Sequence, residues 1–454
     1  MNLMTAVFLL YGVAIISMSV WFRRHRTGDE YLMANREASA FLVGAALFTL
    51  VGGGELVAMP ALGYTYGASA IALFLGYALG FAFLGIISSR IRVRLSEHLH
   101  LSLPDYVHVY FGRFAGTLTF LISFAAFSAL LLIQFTAGGQ ILNSLSSISY
   151  TRAVLLTAVI ATTYLFIGGF RTVLATDVVQ GFARLLLVPL IAFVAAKGLG
   201  HATIIRPVES LPLATWISLT VTGFFTAASS ADVWQRIYAA KSDQAARRGL
   251  FGGGVMLLVF GGFLVSLGIV ARQSAAITSP DSAFTQTLSQ LLPFWAVLLA
   301  VVFVLSTIMS TADTELFLLS GMLHRELIRF RGANAPQTIA AKESIWETRL
   351  LMLLIAGAAM GLSFVFRELV SIYTWLLSTI LVMAPMILAS LFLPRQRLSA
   401  VLSLTCNLAI FVILAFFGKL TPDNAYYIVL PGAIIYVITY FVTRNRQEAA
   451  AATS

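Results

Sequence analysis

"FLVGAALFTLVGGGELVAMPALGYTYG", residues Phe41 to Gly67, reads as a membrane helix that breaks near its middle. Its flanks are apolar over lengths that suit lipid. Between them stand Gly52, Gly53 and Gly54, then Glu55, then Pro60. Each glycine weakens a helix by about 1 kcal/mol relative to alanine. A carboxylate at the bilayer centre costs roughly 2.5–3.5 kcal/mol. A helix unwound at such a point frees carbonyls that can line a site. Small residues also permit close helix crossings, so the glycines alone do not decide between the two readings.

A second irregular span follows five spans later, at "VTGFFTAASSADVWQR", Val221 to Arg236. Two interrupted spans at matching places in two five-span units form the layout of an inverted-repeat transporter. The units would be residues 40–196 (spans 2 to 6) and 197–393 (spans 7 to 11). They follow an extra N-terminal helix and inner loop at 1–39. Two C-terminal helices and a short cytoplasmic tail complete the chain at 394–454. The layout alone carries the repeat, since the two units share no obvious sequence identity.

Composition agrees with a membrane protein. Of 454 residues, 59% are hydrophobic and 11% charged, against about 25% charged in soluble domains. The single cysteine, Cys406, excludes an internal disulfide and a cysteine-based metal site. Thirteen spans are expected, near 3–22, 40–63, 67–89, 114–142, 153–170, 173–196, 212–231, 249–271, 294–323, 348–366, 369–393, 398–417 and 425–443. The first ends in "RRHR" and reads as a retained anchor. With the N-terminus outside, 22 of the 29 Lys and Arg fall on inner loops, six fall outside, and Arg184 lies within a span. That asymmetry sets the direction, places the C-terminus in the cytoplasm and explains the net charge of +10 without nucleic acid. A bacterial inner membrane is the expected location.

Five charged residues fall within these spans: Glu55, Asp177, Arg184, Asp313 and Glu315. Glu315 precedes an inner turn and is expected to reach water. Asp177 lies near the inner end of its span, where water and function compete. Glu55, Arg184 and Asp313 point to function. In the ninth span, "STIMSTADTELFLLSG" (Ser306 to Gly321) places Thr307, Ser310, Thr311 and Thr314 on one helix face, with Asp313 beside it. Hydroxyls with a carboxylate suit a small hard cation, although hydroxyl stripes also line helix contacts. No helix pairs a nucleophile with a base, and the histidines lie mainly in loops, so an enzyme is not expected.

Five motifs in order resemble the solute:sodium symporter family, carriers of proline, sugars, sialic acid and pantothenate. They are "DEYLMANREAS" (Asp29–Ser39), "HLSLPDYVHVYFGRFAG" (His100–Gly116), "GGFRTVLATDVVQG" (Gly168–Gly181), "SADVWQRIYAAKS" (Ser230–Ser242) and "MSTADTELFLLSGMLHREL" (Met309–Leu327). The resemblance implies an all-α polytopic fold with a LeuT-type five-plus-five core, and sodium as the coupling ion and only metal. It implies a first sodium site from Ser310 and Thr311 with the carbonyls of Phe48, Val51 and Thr307. Some members hold a second sodium, whose positions fall on Asp177, Ser310, Asp313 and Thr314. The implied solute site takes in Gly52, Gly53 and Glu55, with Gln134, Phe225 and Ser229. Glu55 departs from the small polar residue common there and suits an amine, a guanidinium or a proton. Arg184, seven residues after Asp177, has three open partners: Asp177, Glu55 or a solute carboxylate. Tyr373 and Trp375 are gating candidates.

The expected function is sodium-coupled import of a small polar solute, amine-bearing or amino-acid-like, by a monomer in the bilayer. Two alternatives stay open: proton coupling, and a solute sensor that signals through a separate partner.

Overall fold

The computed structural model describes residues 3–22, 37–96, 102–146, 148–198, 211–331, 343–421, 424 and 426–452. Most of the Asp29–Ser39 motif, with Arg23, Arg24, Arg26, Arg36, Arg206 and Lys342, lies outside them. The chain is helical: α1 Leu3–Phe22, α2 Ala40–Phe48, α3 Gly53–Tyr66, α4 Ala72–Ser96, α5 Leu103–Phe111, α6 Arg113–Leu145 and α7 Tyr150–Gly198. Then come α8 Leu213–Ser229, α9 Ala231–Ala239, α10 Asp243–Gln273, α11 Ala283–Gln286 and α12 Phe294–Phe330. Last are α13 Glu343–Ser363, α14 Leu369–Leu381, α15 Ala384–Phe392, α16 Arg397–Phe416 and α17 Tyr426–Ala452. Helix α7 holds two spans that meet at Gly169, whose φ of 64° is left-handed and favours glycine.

Among the described residues, eleven stretches are long and apolar enough to cross a membrane, against the thirteen expected. Both differences arise at the broken helices. The second and third spans merge into one stretch, Gly53–Val93, because a 3-10 turn at Gly67–Ile71 runs α3 straight into α4, while α2 with nine residues is too short to count. The seventh stops at 17 residues, Leu213–Ser229, where Ser230 leaves helical geometry.

Helix α12 is the hub and packs on α6, α7 and α13. Every residue from Phe303 to Met322 is buried, so its hydroxyl face meets protein and not lipid. Helix α10 packs along α2, α3 and α4, and α4 lies along α8. Apolar residues exposed on α1, α16 and α17, among them Leu10, Phe416 and Ile434, give the lipid-facing surface. A parallel bridge joins Ala38, before α2, to Ala240, after α9. The Ala38 amide donates to Ala239 and the Lys241 amide donates to Ala38, each at 2.9 Å.

Candidate ion and solute site

The break in the second span is built by its glycines. Gly52 caps α3, and its amide donates to the Glu55 carboxylate at 2.9 Å, so Glu55 serves the helix that it begins. The Gly53 amide donates to Gln134 Oε1 on α6 at 2.6 Å. A Cβ on Gly52 would stand 2.6 Å from Gln134 Nε2, so a larger residue would push the Gln134 amide out of its bond to the Gly53 amide. The other Glu55 oxygen accepts from Tyr373 Oη at 2.9 Å.

Between the break and α12 lies a guanidinium. Arg184, from the second span of α7, has no exposed surface. Its Nη1 donates to the carbonyls of Thr49 and Val51 at 3.0 and 3.1 Å. Its Nη2 donates to the carbonyls of Ser306 and Thr307 at 3.0 and 2.9 Å. One cation thus joins the unwound backbone after α2 to the middle of α12. Ser310 and Thr311 place their hydroxyls 3.3 and 3.4 Å from the Thr49 carbonyl. Of the three partners considered for Arg184, none takes these bonds; neutral carbonyls do.

A second constellation lies beside it. Ser310 Oγ is 2.6 Å from Asp177 Oδ1, so its one proton goes to that carboxylate. Tyr164 donates to Asp313 Oδ2 at 2.6 Å. Arg236, on α9, donates to Thr314 Oγ1 at 3.1 Å and stands 3.8 Å from Asp177 Oδ2. Asp177 Oδ2 and Asp313 Oδ1 are buried without a hydrogen-bond partner among the described residues. Glu315 is fully buried and both its oxygens lack such a partner, so the expectation that it reaches water is wrong. Helix α12 runs on to Phe330, which carries Glu315 well inside the protein. Around this core, Glu55, Asp177, Asp232, Asp313 and Glu315 are all buried, with the guanidiniums of Arg184 and Arg236. Acid outnumbers base in a low-dielectric space, a setting that favours a bound cation or proton.

The cavity next to the break is lined by Val51, Glu55, Tyr77, Phe81, Asp232 and Tyr373, with Thr226, Ser230 and apolar neighbours. Its free space is about 40 Å³, close to the ≈ 30 Å³ share of one water. Two carboxylates and three aromatic rings face it, with no basic side chain.

Away from the break, α5 is tied to the far end of α12. The Asp105 carboxylate pairs with Arg325 at 3.0 Å and with Arg329, and accepts from Ser102 at 2.7 Å. Burial works to raise its pKa, but the two guanidiniums outweigh it and hold the carboxyl well below the usual range. Tyr106 donates to Ser390 of α15 at 2.9 Å and packs on Trp234 of α9, 5.4 Å between centroids.

The structure brings together Val51, Thr307, Ser310, Thr311, Asp177, Asp313 and Thr314, and joins Glu55, Gly52, Gly53, Gln134 and Tyr373 around the break. The carbonyl that the second span brings to both hydroxyls belongs to Thr49 and not to Phe48, whose ring lies edge-on to Phe260 at 5.5 Å; Thr311 Oγ1 is also 3.3 Å from the Thr307 carbonyl of its own helix. Phe225 and Ser229 do not line the cavity; Thr226 and Ser230 do. Trp375 is 47% exposed and edge-on to Phe411, away from it. Sequence reasoning missed Asp232, Arg236, Tyr77 and Thr49. The first two follow the break that ended the expected seventh span at 231, yet all nine residues of α9 are buried.

Comparison with known proteins agrees with this architecture. A solved structure of a Na+-coupled sialic acid symporter, substrate-bound and outward-open, superposes with a TM-score of 0.78 over 98% of each chain at 16% identity. The sodium/pantothenate symporter of Haemophilus influenzae is 25% identical over 374 residues, 77% of this chain and 76% of that one. The sodium/proline symporter of Escherichia coli is 24% identical over 395 residues, 80% and 76% of the two chains. These relatives are carriers and not enzymes. The model of the "Sodium:solute symporter family" matches residues 31–404, so this multi-pass membrane protein with a LeuT-type fold belongs to that family.

Proposed function

We propose that the chain is a secondary active carrier for a small organic solute bearing a cationic amine. The observation that carries this reading is the narrow cavity faced by Glu55 and Asp232 together with Tyr77, Phe81 and Tyr373. Carboxylates attract the ammonium, and aromatic faces add cation–π attraction of about 0.5–2 kcal/mol. Arg184 is committed to carbonyls, so it offers no partner to a solute carboxylate. This favours an amine over an amino-acid-like solute. The cavity is too small for a solute as it stands, in keeping with alternating access between the units 40–196 and 197–393. The chain works as a monomer with the N-terminus outside, in a bacterial inner membrane.

For the coupling ion, Asp177, Ser310, Asp313 and Thr314 supply oxygens, two of them carboxylate oxygens without a hydrogen-bond partner among the described residues, with Arg236 at the edge of the set. That donor set fits sodium. Solute and ion would raise each other's affinity equally. Proton coupling is the second reading, favoured by Glu315, whose two buried oxygens have no hydrogen-bond partner among the described residues.

The test is uptake into proteoliposomes of labelled primary, secondary and quaternary amines, driven by a sodium gradient at fixed pH or by a pH gradient without sodium. Accumulation of one amine, with affinity at least about tenfold weaker in Glu55→Gln, supports the reading. Binding without accumulation under either gradient favours the sensor, and accumulation of anionic solutes alone overturns the cationic assignment.

A further inference from the structure

The position of Arg184 bears on how this chain is coupled. Two pairs of main-chain oxygens, from Thr49 and Val51 on one side and Ser306 and Thr307 on the other, converge on its two Nη groups at 2.9–3.1 Å. The hydroxyl oxygens of Ser310 and Thr311 lie 3.3 and 3.4 Å from the same Thr49 carbonyl, although Ser310 gives its proton to Asp177. Carbonyls from an unwound segment, carbonyls from a facing helix and two hydroxyls are what a desolvated monovalent cation needs. Here a monovalent cation is already present, and it is covalently attached to α7. Arginine stays protonated under all physiological conditions, so this charge neither dissociates nor exchanges.

We propose that the Arg184 guanidinium is a tethered cation that replaces a sodium ion at the contact between the second span and α12. The contact is therefore permanently charged and does not answer to sodium. Any sodium the carrier uses binds instead at the neighbouring Asp177–Asp313 constellation. For its functional meaning this rests on the carrier reading above; its geometry does not. A free ion that left this contact would let α2 and α12 part, whereas Arg184 holds them at every sodium concentration. Sodium dependence at this contact is then a property that one side chain has removed.

The experiment counts sodium bound to purified protein in detergent, by 22Na+ binding with potassium as the competing ion, for wild type, Arg184→Met and Arg184→Lys. Methionine keeps the apolar stem and removes the guanidinium; lysine keeps the charge. Arg184→Met is expected to bind one sodium more than wild type and to gain thermal stability in sodium over potassium. Arg184→Lys is expected to bind as wild type does. Guanidinium ion at low concentration should compete with the added sodium in Arg184→Met. Equal sodium counts in Arg184→Met and wild type overturn the proposal. If Arg184→Met does not fold, the wild-type count decides: two sodium ions per chain overturn the proposal, and one or none upholds it. A count of none, with the Met variant gaining one, upholds the tethered cation while removing sodium from the coupling reading, so the two failures are distinct.

Discussion

Two arginine-based contacts hold this carrier together at different depths, and they use opposite chemistry. At the centre, Arg184 meets four neutral carbonyls and is wholly buried. At the contact of α5 with the far end of α12, Arg325 and Arg329 meet the Asp105 carboxylate, and Arg329 is 24% exposed. The central contact depends on dipoles that cannot be titrated or screened by salt. The α5 contact depends on a carboxylate that acid can neutralise and on a partner that ions can reach. The protein thus puts its insensitive clasp where the helices break and its responsive one where α5 meets the partly exposed end of α12.

The comparison breaks most severely at Arg184. Its loss removes charged hydrogen bonds, each worth about 1.5–3 kcal/mol, from four buried carbonyls. Arg184→Ala should therefore cost about 3 kcal/mol or more in potassium, read as early aggregation on heating in detergent. Next comes Asp105→Asn, which removes the charge from the latch but keeps its shape. A loss of about 1–3 kcal/mol is expected, discounted because one partner reaches solvent. Acid should act as the mutation does. Asp105 is held below its ordinary value, so its contribution is complete above pH of about 4 and fades as pH falls further. A wild-type stability profile that is flat from pH 7 to 5 and then declines, set beside a weaker decline in Asp105→Asn, is the matching measurement. Arg329→Ala should cost about 1 kcal/mol or less and lose that cost in high potassium chloride. Trp375→Ala, away from both contacts, should stay within about 0.5 kcal/mol and leave uptake unchanged.

Much of this architecture was legible in the residues. Gly52 to Gly54 beside Glu55 marked the broken helix, and the hydroxyl face of α12 marked the segment opposite it. The bonds of Arg184 were not legible, because its partners are main-chain carbonyls and residue type says nothing about which carbonyls a break turns outward. The same blindness explains the shift from Phe48 to Thr49: the unwinding begins one residue past the position that alignment suggested. Asp232 and Arg236 escaped notice because a span that breaks at Ser230 reads as ended, although the chain continues inside the protein. Glu315 was misplaced for the converse reason. A 37-residue helix is about 55 Å long at 1.5 Å per residue, longer than the bilayer core of about 30 Å, so nearness to a basic turn does not measure nearness to water.

The short parallel bridge between Ala38 and Ala240 has a consequence for motion. Helix α9 begins at the cavity, beside Asp232, and ends at this bridge nine residues later, a lever of about 13 Å. A ligand that tugs on Asp232 pulls, through one rigid rod, on the chain entering α2. The two discontinuous spans are thereby strapped together at one end, and a swing of either has to carry the other along or break two backbone hydrogen bonds.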